Sequence, residues 1–265
     1  MANIVSDIKE LKIQGARQIA LESLKHLKKF AARNGFGAKF DHECSRLLAA
    51  RPTAVVLYNV LKELDKDKTA KKIDFLIKAL LGAEKKIADN CKAIFKKNMT
   101  VMTHCHSHEV VAALLASRKK ISRVYVTETR PFYQGVMTAR DLVGKIPTTL
   151  IVDSAAGFYM HDIDAVFVGC DALRKEGVVN KIGTMPLAMT AAEFGKPVYV
   201  IGSSWKLDKR ASIKIEMRNP REVGRPIKGV EIKNPAFDVT PFKYIYSIVT
   251  EKGILKTKEI LRDLR

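Results

Sequence analysis

The second part of the chain alternates between two hydrophobic patterns, and this alternation constrains the fold more than any other feature of the sequence. From Met99 onward, short β-branched and apolar runs are separated by stretches with helical periodicity. Strands that alternate with helices along a chain indicate βαβ units, in which parallel strands form one sheet with helices on its faces. We therefore predict an α/β fold with a Rossmann-like, mostly parallel sheet flanked by helices. Its strands are predicted at 100–103, 124–127, 148–152, 165–168 and 198–201.

The first part of the chain has a different pattern. From Ile4 to about Lys97, apolar residues recur three and four positions apart, which is the spacing of amphipathic helices. We predict an N-terminal all-α domain over residues 1–97 and a Rossmann-like α/β domain over residues 98–265. In the last third of the chain, polar loops that contain four prolines precede a closing helix from about Lys256.

The chain is strongly basic. Its 265 residues include 47 Lys and Arg against 28 Asp and Glu, which gives a formal net charge of +19. Such an excess attracts phosphorylated partners, either metabolites or nucleic acid. The lysines are spread over the predicted helices and few aromatic residues lie among them, so a solvated surface is favoured over a nucleic-acid interface. We therefore expect a phosphorylated small molecule, and nucleic acid is not an expected partner.

The cysteines and the apolar segments limit the protein class further. Cys44, Cys91, Cys105 and Cys170 lie far apart without a CxxC pair, which argues against a zinc ribbon or a disulfide framework. No segment has the length of a membrane span, and the first residues lack the apolar core of a signal peptide. We expect a cytoplasmic protein whose cysteines are free thiols.

The segment 166–184, VFVGCDALRKEGVVNKIGT, combines a strand, an acid and candidate phosphate ligands. Its apolar start predicts a buried strand, and Asp171 then lies at the carboxyl edge of the sheet, where open α/β sheets bind ligands. Lys181 supplies a positive charge for a phosphate, and Asn180 with the amides around Gly183 can hold an oxyanion at a helix start. The alternative is that the segment is only a strand, a turn and a helix cap.

Three histidines and a cysteine follow the first predicted strand, in the segment THCHSH. His104, His106 and His108 can share one face while Cys105 points away, but no CxxC pair or carboxylate set completes a metal site. We favour Cys105, at the end of a strand and before helix-start amides, as a thiol with a lowered pKa that moves protons. An inert buried cysteine is the alternative.

Other polar residues are weaker candidates for ligand binding. Arg130 follows the second predicted strand and offers a planar pair of donors to a phosphorylated or polyhydroxylated ligand, although it could also pair with Glu128. Gly15 and Arg51 lie where helical patterns break, and Arg51 precedes a proline at a predicted helix entry. Ordinary turns explain Gly15 and Arg51 equally well.

Two nucleotide-binding signatures are absent from the sequence. There is no GxGxxG fingerprint and no GxxxxGK[ST] loop, so neither nicotinamide chemistry nor nucleotide hydrolysis is supported. The remaining functions are chemistry that requires no organic cofactor, or binding without chemistry.

Five motifs occur in one order: THCHS, VTETRPFYQG, VGCDALRKEGVVNKIGT, EMRNPREV and NPAFDVTP. Together they resemble the superfamily of archaeal ribose-1,5-bisphosphate isomerase, methylthioribose-1-phosphate isomerase and the α/β/δ regulatory subunits of translation initiation factor 2B. The resemblance extends from Ile13 to about Ile254. Within this superfamily a catalytic cysteine and aspartate distinguish the isomerases, and the matching residues here are Cys105 and Asp171. The resemblance therefore implies an aldose-ketose isomerase that acts on a phosphorylated pentose.

The forms THCHS, RPTAV and EMRNP are most similar to those of the ribose-1,5-bisphosphate isomerases. They imply conversion of ribose 1,5-bisphosphate to ribulose 1,5-bisphosphate, a step of AMP salvage, with Cys105 as the base and a protonated Asp171 as the acid. Gln14 stands where these isomerases usually have arginine. The substrate-binding residues that the resemblance implies are Gly15, Ala16, Arg17, Arg51, Ser107, Arg130, Asn180, Lys181 and Lys206, with Arg51 for one phosphate and Lys206 for the second.

Two other functions stay open. A factor 2B-like regulatory subunit would bind a sugar phosphate or nucleotide and a protein partner, a role that does not need Cys105 and Asp171 together. A methylthioribose-1-phosphate isomerase would use the same acid and base on a substrate with one phosphate. The resemblance also implies a homodimer or a hexamer built from dimers, and it leaves a nucleotide effector open.

Overall fold

The computed structural model describes residues 4–10, 12–13, 15–212 and 215–264. Packing divides the chain into two compact units, Met1–Ala83 and Glu84–Arg265. This division falls inside a helix, whereas the secondary structure changes from helices to strands only at Met99. The sequence-based boundary after residue 97 follows that change of secondary structure, and it stays our proposal for the two domains.

The first unit is helical, as the periodicity predicts. Its helices are α1 (Ile4–Lys9), α2 (Ala16–Asn34), α3 (Ala38–Ala50), α4 (Val55–Asp65) and α5 (Ala70–Cys91), which runs on into the second unit. Leu24 and Leu27 of α2 are fully buried, as are Leu47 of α3 and Leu57 of α4. The spacing of three between the two leucines of α2 places both on one face, so the apolar stripe becomes the core of this unit.

The second unit is built on β-strands with interspersed helices. The helices are α6 (His108–Ala116), α7 (Gln134–Leu142), α8 (Thr184–Glu193) and α9 (Thr257–Asp263). The strands are β1 (Met99–His104), β2 (Ile121–Thr127), β3 (Thr148–Ile151), β4 (Ala165–Val168), β5 (Ala172–Arg174), β6 (Gly177–Lys181), β7 (Val198–Ile201), β8 (Phe237–Thr240), β9 (Ser247–Thr250) and β10 (Gly253–Leu255).

Seven of these strands form one sheet in the order β10-β9-β7-β4-β1-β2-β3. All neighbouring pairs are parallel except β9 and β10, so the predicted mostly parallel sheet is confirmed. Every residue of β4 is buried, as expected for a strand covered on both faces. The chain moves from β1 outward to β2 and β3, then returns to β4 on the other side of β1. This reversal is a topological switch point, and ligands of open α/β sheets bind beside it, at the carboxyl ends of the strands.

The prediction of loops in the last third is wrong in part. The closing helix is present as α9, but β8, β9 and β10 also lie there, and β5, β6 and β8 form a second, antiparallel sheet. These strands have three to five residues each, too few to show a periodicity of two. Pro235 and Pro241 flank β8 without entering it, and prolines at strand ends do not prevent pairing.

Gly135 lies so close to the backbone of Thr127 that a larger residue should not fit there. A methyl group at Gly135, at the start of α7, would overlap the carbonyl oxygen of Thr127 at the end of β2. We expect Gly135→Ala to lower the free energy of unfolding by about 3 kcal/mol, because backbone must move to relieve the overlap. The matched control is Gly82→Ala in α5, which has free space and should raise stability by about 0.5–1 kcal/mol. Urea unfolding curves measure both, and equal stability of the two variants would contradict the packing of α7.

Candidate active site

Cys105 occupies the switch point directly after β1. In the pairing of β1 with β4, His104 lies opposite Val168, so the residues that follow the two strands emerge side by side. Cys105 has a positive φ of 68°, in the left-handed region. Its amide donates a hydrogen bond of 2.8 Å to Thr129 Oγ1, and its carbonyl accepts one of 2.9 Å from Thr138 Oγ1. The backbone of the candidate base is therefore held from both sides.

The thiol of Cys105 does not have the lowered pKa that the sequence analysis expected. Burial raises the pKa of this thiol to about 12, and the Asp171 carboxylate adds to the rise. The amide of His106 and the ammonium of Lys181 act in the opposite direction, but they do not offset burial. The expectation was wrong because it counted the helix-start amides and left out desolvation, which penalises a thiolate more than those amides favour it. Cys105 is a neutral thiol at neutral pH.

Asp171 follows β4 at the same edge of the sheet. Its amide donates to the carbonyl of Val179 at 2.8 Å, which ties it to the hairpin of β5 and β6. The carboxylate interacts electrostatically with Cys105, Lys181 and Lys206. The structure thus brings together the acid, the thiol and two of the predicted ligand residues.

Asn180 and Lys181 end β6 and are both buried. Asn180 Nδ2 donates to Thr184 Oγ1 at 2.9 Å, which joins the strand to the first turn of α8. Burial lowers the pKa of Lys181, although Cys105 and Asp171 act in the opposite direction. Lys181 is therefore a lysine that releases its proton more readily than an exposed one.

The amides around Gly183 are not open to an oxyanion, contrary to the sequence-based prediction. Asp238 Oδ2 accepts hydrogen bonds from the amides of Gly183, at 2.8 Å, and Met185, at 3.0 Å. Asp238 lies in β8, which pairs with β6 and so carries this carboxylate to the start of α8. A carboxylate of the chain itself occupies the site, and no local pattern around Gly183 reveals a partner 55 residues away.

Lys206, predicted to bind the second phosphate, is paired with a carboxylate. Its ammonium lies 3.0 Å from Glu109 Oε1, and the Ser107 hydroxyl donates to Glu109 Oε2 at 3.0 Å. Burial alone would raise the pKa of Glu109, but Lys206 and Ser107 outweigh it and hold that pKa below its usual range. Burial alone would lower the pKa of Lys206, yet Glu109, Cys170 and Asp171 raise it. No sequence pattern indicated Glu109, and the pairing of Glu109 with Lys206 leaves little net charge there for a phosphate.

The remaining predicted ligand residues are Arg130 in the second unit and four residues of the first unit. The Arg130 guanidinium is exposed and donates to Tyr133 Oη at 2.6 Å and to the Val223 carbonyl at 2.8 Å. The other four lie in the first unit: Gly15 precedes α2 with a φ of 81°, Ala16 and Arg17 begin that helix, and Arg51 follows α3. Arg51 therefore ends one helix instead of starting the next, since α4 begins only at Val55. Gln14 lies outside the described residues.

Two of the three histidines of the THCHSH segment have hydrogen-bonding partners. His104 Nδ1 lies 2.7 Å from Thr127 Oγ1, and its Nε2 lies 2.9 Å from the carbonyl oxygen of Ile182. His106 Nδ1 lies 3.1 Å from Thr138 Oγ1. Among the residues that the structure describes, no group of three or more His, Cys, Asp or Glu side chains is arranged to hold a metal ion.

The buried thiol of Cys91 should make the stability of the protein depend on pH. Burial raises the pKa of Cys91 from 9.0 to about 12, so the unfolded chain loses this proton near pH 9 while the folded chain keeps it. The folded state then binds more protons, and its stability falls as pH rises from 9 towards 12. We expect Cys91→Ala to show a smaller loss of unfolding free energy between about pH 8 and about pH 10.5 than the wild type. Urea titrations at both pH values measure this, and identical losses would contradict the shift.

The fold is that of an α/β protein, and its cluster lies at the switch point, where proteins with open α/β sheets bind small molecules. The chain belongs to the Initiation factor 2 subunit family, whose model matches residues 12–257. None of the helices in the described ranges combines the length and apolar character needed to cross a membrane.

Relatives of this chain are named as sugar-phosphate isomerases. A protein of Methanocaldococcus jannaschii named ribose 1,5-bisphosphate isomerase is 37% identical over 273 residues, covering 94% of this chain and 89% of that protein. A protein of Petrotoga mobilis named 5-deoxyribose 1-phosphate isomerase is 38% identical over 307 residues, covering 97% of this chain and 88% of that protein. These relatives confirm the family and the isomerase class that the motifs predicted.

Solved structures confirm the fold. The Pyrococcus horikoshii translation initiation factor eIF-2B has a TM-score of 0.85 and 25% identity, covering 99% of this chain and 98% of that one. The 5-methylthioribose 1-phosphate isomerase of the same organism has a TM-score of 0.78 and 27% identity, with coverages of 98% and 86%. One architecture therefore serves both an initiation factor and an isomerase, and function has to be argued from the site.

Proposed function

We propose that this protein isomerises ribose 1,5-bisphosphate to ribulose 1,5-bisphosphate in nucleotide salvage. The observation that carries the proposal is the joint placement of Cys105 and Asp171 at the carboxyl ends of β1 and β4, with Lys181 in the same electrostatic cluster. A proton transfer between carbon atoms needs a base and an acid at one place, and a purely regulatory binding site needs neither. The name of the Methanocaldococcus relative supports the substrate.

The proposed reaction requires groups in opposite protonation states. Cys105 is a neutral thiol, so the proposal requires that it first lose its proton. We propose the neutral amine of Lys181 as the acceptor, because burial lowers the pKa of Lys181 and makes its neutral form more available than that of an exposed lysine. The thiolate then takes the proton from C2. The proposal requires Asp171, a carboxylate in the cluster described above, to hold a proton before this step, and it gives that proton to the ring oxygen as the bond between C1 and that oxygen breaks. The product of this step is an enol with a double bond between C1 and C2.

The second half of the reaction restores both groups. The Cys105 thiol returns its proton to C1, and the Asp171 carboxylate takes the proton of the C2 hydroxyl, which becomes the ketone. Atoms and charges balance without an oxidant or a reductant, and we propose that no metal or organic cofactor takes part. Lys181 then returns its proton to the thiolate, and the site is ready for another substrate.

A second candidate substrate has an observation in its favour. The pairing of Lys206 with Glu109 neutralises the residue predicted to bind the second phosphate, and this would suit a sugar with a phosphate only at C1. The name of the Petrotoga relative describes such a substrate, 5-deoxyribose 1-phosphate. Methylthioribose 1-phosphate, the sugar in the name of the Pyrococcus horikoshii isomerase, is also a sugar with a phosphate only at C1.

The test is to incubate the purified protein separately with ribose 1,5-bisphosphate, 5-deoxyribose 1-phosphate and methylthioribose 1-phosphate, and to identify each product by NMR. We expect the bisphosphate to have the highest kcat/KM. If a monophosphate is converted faster, the isomerase assignment stands and the substrate changes. If the folded protein binds these sugars and converts none, a regulatory role like that of initiation factor 2B replaces the proposal.

We also propose that the protein assembles as a homodimer or a larger oligomer. The outer strand β3 and the residues after it expose large apolar side chains, with Leu150 46%, Val152 52% and Phe158 80% accessible. An edge strand with exposed apolar groups favours pairing with another surface. Light scattering after size-exclusion chromatography measures the mass, and a monomer at micromolar concentration would contradict this part of the proposal.

A further inference from the structure

We infer that Thr129 and Thr138 are positioning residues. They hold Cys105 in its left-handed backbone conformation and thereby fix the position of its thiol relative to the substrate. The inference rests on the proposed function, because it assigns these residues to the reaction in which Cys105 is the base. Neither threonine is a candidate ligand for the substrate: Thr129 is 0% and Thr138 is 1% exposed.

The two threonines bind opposite ends of Cys105. The Thr129 hydroxyl accepts the hydrogen bond of the Cys105 amide at 2.8 Å. The Thr138 hydroxyl donates to the Cys105 carbonyl at 2.9 Å. Since a hydroxyl has only one proton, the Thr138 hydroxyl must be the acceptor in its second contact, so His106 Nδ1, 3.1 Å away, is the donor in that pair.

Each threonine is itself held by a separate element. Thr129 lies in the loop after β2, where its amide donates to Asp153 Oδ1 at 2.7 Å and its hydroxyl donates to the Thr127 carbonyl at 3.2 Å. Thr138 lies in the middle of α7, whose start packs against the end of β2. The loop after β2 and helix α7 therefore meet at the backbone of one residue.

The conformation that they hold is costly for a residue with a side chain. Cys105 has a φ of 68° and Thr129 a φ of 63°, and non-glycine residues rarely adopt such values unless surrounding contacts enforce them. Without the two hydroxyls, the Cys105 peptide would be free to relax to a negative φ and carry the thiol elsewhere. A base that is misplaced by about 1 Å loses up to about 100-fold in rate.

The test compares Thr129→Val and Thr138→Val, which remove a hydroxyl and keep the shape, with Thr129→Ser and Thr138→Ser, which retain it. Thr240→Val is the matched control, because Thr240 is also fully buried and its hydroxyl has no hydrogen-bond partner among the residues that the structure describes. We expect kcat to fall by about 10-fold to 100-fold in the two valine variants with little change in KM. The serine variants should recover most of kcat, and Thr240→Val should keep the wild-type value.

A second measurement does not depend on activity. The rate at which iodoacetamide alkylates Cys105, read by mass spectrometry of the Cys105 peptide, reports where the thiol lies. We expect the rate to rise in the two valine variants, as the thiol leaves its half-buried position, and to stay unchanged in Thr240→Val. This result would hold even if ribose 1,5-bisphosphate is not the substrate, so it separates the failure of this inference from the failure of the proposed function.

Two results would overturn the inference. One is wild-type kcat together with wild-type alkylation in Thr129→Val and Thr138→Val. The other is a loss of activity that Thr240→Val shares, or that follows a lowered melting temperature and is not recovered by serine, since both would indicate a general packing effect.

Discussion

Cys105→Ser and Asp171→Asn are expected each to lower kcat for the isomerisation by about 100-fold to 10,000-fold, the range in which a general acid or base contributes. Each substitution keeps the size of the side chain. Serine cannot supply a thiolate, and asparagine cannot donate a carboxylic proton to the ring oxygen. KM should change little, because the residues proposed to bind phosphate remain. A coupled assay or NMR under saturating substrate measures the effect.

Matched controls exist for both substitutions. Cys44→Ser makes the same change at a thiol in α3, and Asp89→Asn makes the same change at an exposed carboxylate in α5. Both should retain wild-type kcat. Turnover near the wild-type rate in Cys105→Ser would show that the thiol is not the base. If only Asp171→Asn loses activity, Asp171 keeps its role as the acid and another residue must be the base.

Glu109→Gln and Lys206→Met are expected each to lower the free energy of unfolding by about 3–5 kcal/mol, because removing one partner leaves the other buried and uncompensated. The Glu109 and Lys206 side chains are 8% and 5% exposed and lie 3.0 Å apart. The double variant, which removes both charges, should recover part of the loss. Lys92→Met, at an exposed pair with Asp89, should leave stability unchanged within error and serves as the control.

The stability that Glu109 contributes should also depend on pH in one direction. The folded pKa of Glu109 lies below its usual 4.5, so its contribution is present above pH 4.5 and is lost as pH falls through the lowered value. The pKa of Lys206 is raised, so its contribution persists up to its usual 10.5 and is lost only above that. Unfolding curves of wild type and Glu109→Gln should therefore differ most between these limits and converge in acid. A difference that grows in acid would contradict the pairing.

Local patterns predicted the main sheet and the placement of Cys105 and Asp171 well. Both residues follow strands with strong apolar patterns, and the parallel arrangement brings the carboxyl ends of such strands to one edge. The two domains, the substrate and the roles of the ligand residues stay proposals. The thiol pKa was predicted in the wrong direction, because the burial of Cys105 depends on how the whole site packs and not on its neighbours in sequence.

The contacts that sequence patterns did not reveal are all long-range. Thr138 reaches the Cys105 carbonyl from 33 residues away, and Asp238 reaches the start of α8 from β8. The sequence around a threonine in a helix or an aspartate in a short strand does not indicate such a distant partner. Glu109 could have been suspected only if the burial of Lys206 had been known, since a buried lysine requires an opposite charge.

The adjacency of β1 and β4 also bears on how the site comes into being during folding. Cys105 and Asp171 are separated by a chain segment that contains β2, β3 and α7, so they meet only after that segment has folded back and the central strand pair has closed. Parallel pairings over such sequence distances form slowly. A refolding protein would thus regain most of its helical signal before any turnover. The rate at which catalytic activity returns during refolding would therefore measure the rate at which β1 pairs with β4.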